Sequence, residues 1–287
     1  MDCSNNKITR NLVISGGSIV GFLFYGALKE MHKKGYWNYE ELNKIYCTSA
    51  GSMVSLLLLL HYDWEDIDKF IIERPWHKVF RFDLTKVFNS IENVGMYNLQ
   101  LIHDSFDSLL LGKGLEPTTT MKELYEFSNI ETHIITTDIN NMKTVDISHL
   151  THPDFPVIDA IYCSCALPIV FKPYEYEETF LCDGGLTCNF PLELCLKENK
   201  NEETITIGLD EKFVKYSKND NLFTYLNMLS LNLLKSINVQ KRPDNLKIQV
   251  HFDPDIINLE NSINVIIEQE SRKKLIDMGV EKVKSTL

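Results

Sequence analysis

The stretch over residues 45–60 restricts the fold of this chain more than any other. A β-leaning stub, Ile45-Tyr46-Cys47, runs into Thr48-Ser49-Ala50-Gly51 and then into Met53-Val54-Ser55-Leu56-Leu57-Leu58-Leu59-Leu60, too leucine-rich for a loop. Strand, sharp turn, buried helix is therefore the expected order. The same order occurs upstream. Asn11-Leu12-Val13-Ile14-Ser15 reads as a short buried strand, and Gly16-Gly17-Ser18 ends it. Across residues 19–34, Val20, Leu23, Phe24, Ala27, Leu28 and Met31 recur at helical spacing, and Gly35 stands where a cap belongs. Two successive strand–turn–helix units predict a parallel sheet with helices packed on it.

Farther along, residues 63–128 change character. Trp64, Phe70, Trp76, Phe80, Phe88, Tyr97 and Phe106 stud amphipathic pieces, with a helix expected over 99–111. This predicts a helical insertion or cap on the sheet. Strands follow over 133–138, with its hairpin mate at Lys143–Ile147, over 180–183, 203–209 and 246–252. Helices are expected at Val157–Cys165, ahead of Pro168, at 222–237 and at 262–285. No internal repeat or low-complexity linker breaks the chain, so one domain over residues 1–287 is the expectation.

A formal charge of −11 argues against nucleic acid as a partner and weakens attraction to anionic membranes. The opening Met-Asp-Cys-Ser-Asn-Asn-Lys lacks the apolar core of a signal peptide, and no apolar run reaches bilayer-spanning length. A cytoplasmic protein is expected. Seven cysteines, at 3, 47, 163, 165, 182, 188 and 195, include no C-x-x-C pair. They read as small buried thiols rather than metal ligands, and no metal or cofactor is expected.

Three stretches fall at strand-to-loop transitions, where functional groups collect in α/β sheets: Gly16-Gly17-Ser18, Ser49 and Asp183. Residues 47–51, Cys-Thr-Ser-Ala-Gly, match the nucleophile-elbow pattern G-x-S-x-G at every position but the first. Such a turn lifts the hydroxyl out of the sheet and backs it with a helix N-terminus. A serine needs a base to take its proton, and the oxyanion it creates needs preorganised donors. Ser49 as nucleophile, Asp183 as base and the N–H groups of Gly16, Gly17 and Ser18 as oxyanion hole make a chemically complete set. Each piece has a plainer alternative: Ser49 as a helix cap, Gly16-Gly17 as a strand end, Asp183-Gly184-Gly185 as a turn. His251, the histidine that follows Asp183, sits in an alternating strand pattern and would be the base of a Ser-Asp-His arrangement if it reached the site.

Taken together, the motifs resemble those of patatin-like phospholipases. Leu-Val-Ile-Ser-Gly-Gly-Ser-Ile-Val-Gly over 12–21 is similar to that family's opening, and Cys-Thr-Ser-Ala-Gly to its nucleophile motif. Ser164-Cys165-Ala166-Leu167-Pro168 resembles the stretch before its catalytic aspartate, and Asp183-Gly184-Gly185-Leu186, with Asn189 and Pro191, its aspartate block. Four motifs in order cover about residues 10–210. The resemblance implies a three-layer α/β/α sandwich with a mainly parallel central sheet and hydrolysis of acyl esters in phospholipids or related lipids. It also implies a Ser49–Asp183 dyad, the 16–18 loop as oxyanion hole, and no metal. Three positions depart from the family pattern: Ser18 replaces a glycine, Val20 a basic residue and Cys47 a glycine. They leave open a catalytically silent lipid-binding domain. Peripheral membrane contact is expected through apolar residues, either the aromatic segment 76–111, including Phe80 and Phe88, or the 222–237 helix.

Overall fold

The computed structural model describes residues 8–80, 94–168, 170–210 and 242–287, with a few isolated positions between 212 and 236. The expected 222–237 helix and Phe88 lie outside the described residues. Among the described residues eight strands form one sheet: β1 (Asn11–Ile14), β2 (Lys44–Thr48), β3 (Glu131–Asp138), β4 (Lys143–Ile147), β5 (Tyr174–Tyr176), β6 (Thr179–Asp183), β7 (Thr204–Leu209) and β8 (Ile248–Phe252). Their order is β5-β6-β3-β2-β1-β7-β8, with β4 also on β3. Strands β3, β2, β1, β7 and β8 run parallel, while β4 and β6 are antiparallel to β3, and β5 to β6.

All four residues of β1 and the last four of β2 are buried, as in a sheet covered on both faces. Alternation sends Leu12, Ile14, Ile45 and Cys47 into the large apolar cluster on one face. Val13 and Tyr46 go to a smaller one on the other, with Phe190, Leu192, Cys195 and Leu246. Helices α1 (Gly21–Lys33) and α2 (Ala50–Leu59) follow β1 and β2. The next segment supplies α3 (Trp64–Glu73), α4 (Trp76–Val79), α5 (Gln100–Gly112) and α6 (Met121–Ser128), and α7 (Val157–Cys165) follows the β3–β4 hairpin. Most of these share the large cluster. The smaller face is covered by the short α8 (Leu192–Leu196), which touches β1 and β2. The α/β architecture is as expected; among the described residues one helical layer is thick and the other thin.

Two expectations change. The described parts of the insertion, 63–80 and 94–128, are mainly helical, but Ile67, Ile71, Ile102, Phe106 and Leu124 lie in the same cluster as Leu12 and Leu23. It is built into the thick layer rather than laid over it. The single helix expected over 262–285 is two: α9 (Leu259–Ile267), capped by Asn258, and α10 (Gln269–Thr286). Glu268 between them is extended, and Arg272 explains why the chain stops there. Its buried guanidinium donates to Val265 O (2.6 Å) and Ile266 O (3.3 Å) at the end of α9, where the next turn would otherwise bond. Among the described residues no helix is long and apolar enough to cross a membrane.

Candidate active site

The site is assembled on one edge of β3. Ile134 pairs with Cys47 of β2 and Ile147 of β4, so those strands take opposite edges. Thr136 pairs with Val145 of β4 and Asp183 of β6, so β6 lies on the edge that β2 occupies. Strand β2 ends with Thr48 against Ile135; β6, running the other way, ends with Asp183 against Thr136. The two carboxyl ends meet head to head. That register brings Ser49 and Asp183 together although 134 residues separate them: Ser49 Oγ donates to Asp183 Oδ2 at 2.8 Å.

Ser49 stands at φ 50°, ψ −121°, immediately before α2. A left-handed φ at a non-glycine residue costs on the order of 1–3 kcal/mol and persists only where its surroundings hold it. Its N–H donates to Ser164 Oγ (2.8 Å), and the Ser164 hydroxyl donates to Ile135 O (2.6 Å). Its carbonyl accepts from Ser52 N–H (2.8 Å) and Ser52 Oγ (2.6 Å). The glycine closing the elbow is required by close approach, since a Cβ on Gly51 would lie 2.5 Å from Ile14 O. Gly184 is pressed against Ile135 O in the same way.

Asp183 is 5% exposed. Its Oδ1 accepts from Gly185 N–H (2.7 Å), and its own N–H donates to Ala166 O (3.1 Å). Burial pushes its pKa up to about 6, against the opposing pull of the Gly185 and Ser49 hydrogen bonds. A carboxylate so poised takes a proton near neutral pH far more readily than an exposed one.

Across from Ser49 and Asp183, the 16–18 loop opens a 3₁₀ turn, Ser18–Val20, ahead of α1. Gly16 N–H donates to Asn189 O (2.9 Å), and Asn189 Nδ2 donates to Gly16 O (3.4 Å). Gly16 is thus committed within the fold. The N–H groups of Gly17 and Ser18 precede the first bond of the turn, Val20 N–H to Gly17 O (2.9 Å), and are the donors a helix start leaves over. Ser18 holds φ 49°, a glycine-like angle kept despite its side chain. Val20 is fully buried, so a cation at that position would point into the core. Cys47 is buried, donates to His133 O (3.4 Å) and has its thiol pushed up to about 12 by burial.

His251 is not brought to Ser49 and Asp183. It lies on β8, three strand spacings of about 4.8 Å from β2. Its ring meets Phe190 edge-on at 5.9 Å. Burial, with Arg242 and Lys282 nearby, pulls its pKa down to about 3, far from a useful base. Phe80 is half-buried between Trp76 (6.2 Å) and Tyr97 (6.1 Å). Among the described residues, no group of three or more His, Cys, Asp or Glu could hold a metal ion. Sequence reasoning assigned no role to Ser164 or Asn189. Both occur in the motifs, but what each touches depends on strand register.

Fold and site define an α/β protein with a strained serine and a desolvated aspartate at the carboxyl end of its sheet. The sequence profile of the patatin-like phospholipases matches residues 12–196, and the chain belongs to that family. Protein R571 of Acanthamoeba polyphaga mimivirus is 24% identical over 97% of this chain and 93% of its own length. A probable lipid hydrolase, 463L, of Invertebrate iridescent virus 6 is 25% identical over 81% of each. The crystal structure of VipD from Legionella pneumophila has the same fold (TM-score 0.52, 15% identity), covering 94% of this chain and 67% of that one. Human GIVD cytosolic phospholipase A2, solved with methyl gamma-linolenyl fluorophosphonate, gives a TM-score of 0.51 at 12% identity. This chain is covered completely there, but spans 59% of the human protein.

Proposed function

We propose that this protein is a lipid acyl hydrolase, phospholipase A-like, working through a Ser49–Asp183 dyad. The observation that carries the reading is the 2.8 Å hydrogen bond from Ser49 Oγ to the buried Asp183 carboxylate, made from a turn whose strain aims the hydroxyl. Ser49 Oγ attacks the acyl carbonyl carbon as its proton passes to Asp183. The resulting oxyanion is taken up by the Gly17 and Ser18 N–H groups, with the N-terminal end of α2 adding a positive dipole. Collapse breaks the C–O bond to the alcohol portion, which leaves with the proton from Asp183 and acyl-Ser49 behind. Water, deprotonated by Asp183, then releases the fatty acid and restores the hydroxyl. Membership of the phospholipase family, and relatives named lipid hydrolase and cUMP-AMP-activated phospholipase, support the lipid substrate. Seating at a membrane surface is part of the reading.

The test is labelling with a fluorophosphonate ester, mapped by peptide sequencing, alongside turnover of a phospholipid. Label is expected on Ser49, Ser49→Ala and Asp183→Asn each abolish hydrolysis, and His251→Ala keeps most of it. A folded His251→Ala protein reduced more than about a hundredfold would replace the dyad with a triad. An unreactive Ser49 would leave a silent lipid-binding domain.

A further inference from the structure

Helix α9 buries Val265 in the core but turns two of its isoleucines outward. Asn261, Ser262 and Asn264 are half-buried, while Ile263 and Ile267, one turn apart, are 45% and 58% exposed. The helix leaves the carboxyl end of β8 and packs against the Ser18–Val20 turn of the 16–18 loop and against α4. Its outward isoleucines therefore stand beside the catalytic centre. Other exposed apolar side chains belong to the same end. Ile257 precedes α9, and Phe213 follows β7 by four residues. Leu167 adjoins Ala166, whose carbonyl holds the Asp183 N–H. Scattered exposed apolar residues need no explanation, but Ile263 and Ile267 sit on a helix that touches the 16–18 loop.

The charge of this rim limits what it can meet. Residues 253–268 contain Asp253, Asp255, Glu260 and Glu268 and no lysine or arginine; against them stand Lys212, which pairs with Asp253, and Lys78 on the neighbouring α4, so the described rim is acidic on balance. A surface rich in anionic headgroups would repel it. We propose that α9 is the docking helix that seats the catalytic turn on a zwitterionic phospholipid surface, with Ile263 and Ile267 entering the headgroup–acyl boundary. Apolar area supplies the contact, in the manner of an interfacial helix without its usual basic face. The proposal rests on the lipid-hydrolase reading, because a dyad acting on bilayer acyl esters has to be held at the interface.

Binding is measured by flotation with the non-turning-over Ser49→Ala protein on phosphatidylcholine vesicles and on vesicles containing phosphatidylglycerol. Adding Ile263→Ser and Ile267→Ser is expected to weaken binding to phosphatidylcholine about tenfold or more. Phosphatidylglycerol is expected not to strengthen it. With Ser49 intact, the double substitution lowers hydrolysis of vesicle lipid and leaves turnover of a short soluble ester within about twofold, which also shows that the fold is kept. Unchanged vesicle binding overturns the proposal, as does tighter binding to anionic vesicles. Conversion of a dimer to a monomer by the two substitutions, seen by light scattering, overturns it in favour of a second copy. A wild-type protein that hydrolyses no acyl ester yet binds vesicles through these isoleucines would uphold the docking helix and sink the hydrolase.

Discussion

At the scale of single residues, the proposed nucleophile and base could be located in the sequence, but not what holds them. Ser49 and Asp183 sit in short motifs whose order is informative. Ser164 carries the Ser49 N–H only because α7 ends beside β3, a relation no local pattern encodes. Ser164→Ala is expected to lower kcat about ten- to a hundredfold with little change in KM on a soluble ester. It removes a buried hydroxyl that positions the elbow and costs stability by about 1–2 kcal/mol. A proportional rise in KM would place Ser164 in substrate binding instead. Asp183 makes a second prediction, in pH. Its folded value of about 6 lies above its ordinary 3.8, so the folded chain keeps a proton that the unfolded chain gives up. Stability falls as pH rises from about 4 through about 6, and above that the burial costs at most about 3 kcal/mol. Asp183→Asn should therefore unfold at higher urea than wild type at pH 8, the gap closing near pH 4. Wild-type kcat/KM should drop about tenfold per unit below about pH 6, as the base is protonated. A profile flat to pH 4 would remove Asp183 from that role.

Elements with a clean period were visible in the sequence, and those defined by tertiary contacts were not. Strands β1 and β2 and helix α7 fall within a residue of expectation, because each is a buried run closed by a turn signal. Strand β5, three residues long, exists by pairing with β6; Tyr174-Glu175-Tyr176 alternates, but over too short a run to mark a strand. The break between α9 and α10 was hidden for another reason. Ile-Ile-Glu-Gln-Glu continues a helical pattern, and only a guanidinium reaching back to the carbonyls ends it. Arg272 also donates to Ile72 O from Nε (2.9 Å) and Nη2 (2.7 Å), at the end of α3. One cation thus fastens the carboxyl ends of two helices, where their dipoles favour it. Arg272→Lys keeps the charge and loses the fork. It should lower unfolding free energy by about 2–4 kcal/mol in urea titration, since several buried carbonyls lose their donor. An unchanged midpoint would mean those carbonyls find other partners.

For the whole molecule, charge and architecture pull in different directions, and salt separates them. The sheet gathers its functional loops at one end, which a substrate aggregate has to approach, yet the chain carries a net charge of −11. Repulsion from an anionic bilayer acts over a Debye length, about 10 Å at 0.1 M salt and about 3 Å at 1 M. Apolar contact through α9 is nearly indifferent to such screening and is strengthened slightly by salts excluded from the surface. Hydrolysis of phosphatidylcholine vesicles should therefore change by less than about twofold between 0.05 M and 0.5 M sodium chloride. Over the same range, hydrolysis of phosphatidylglycerol vesicles should rise, because added salt shields the acidic rim from the surface it must reach. A fall with salt on either lipid would require a basic patch steering the approach, and initial rates at fixed lipid concentration decide between the two.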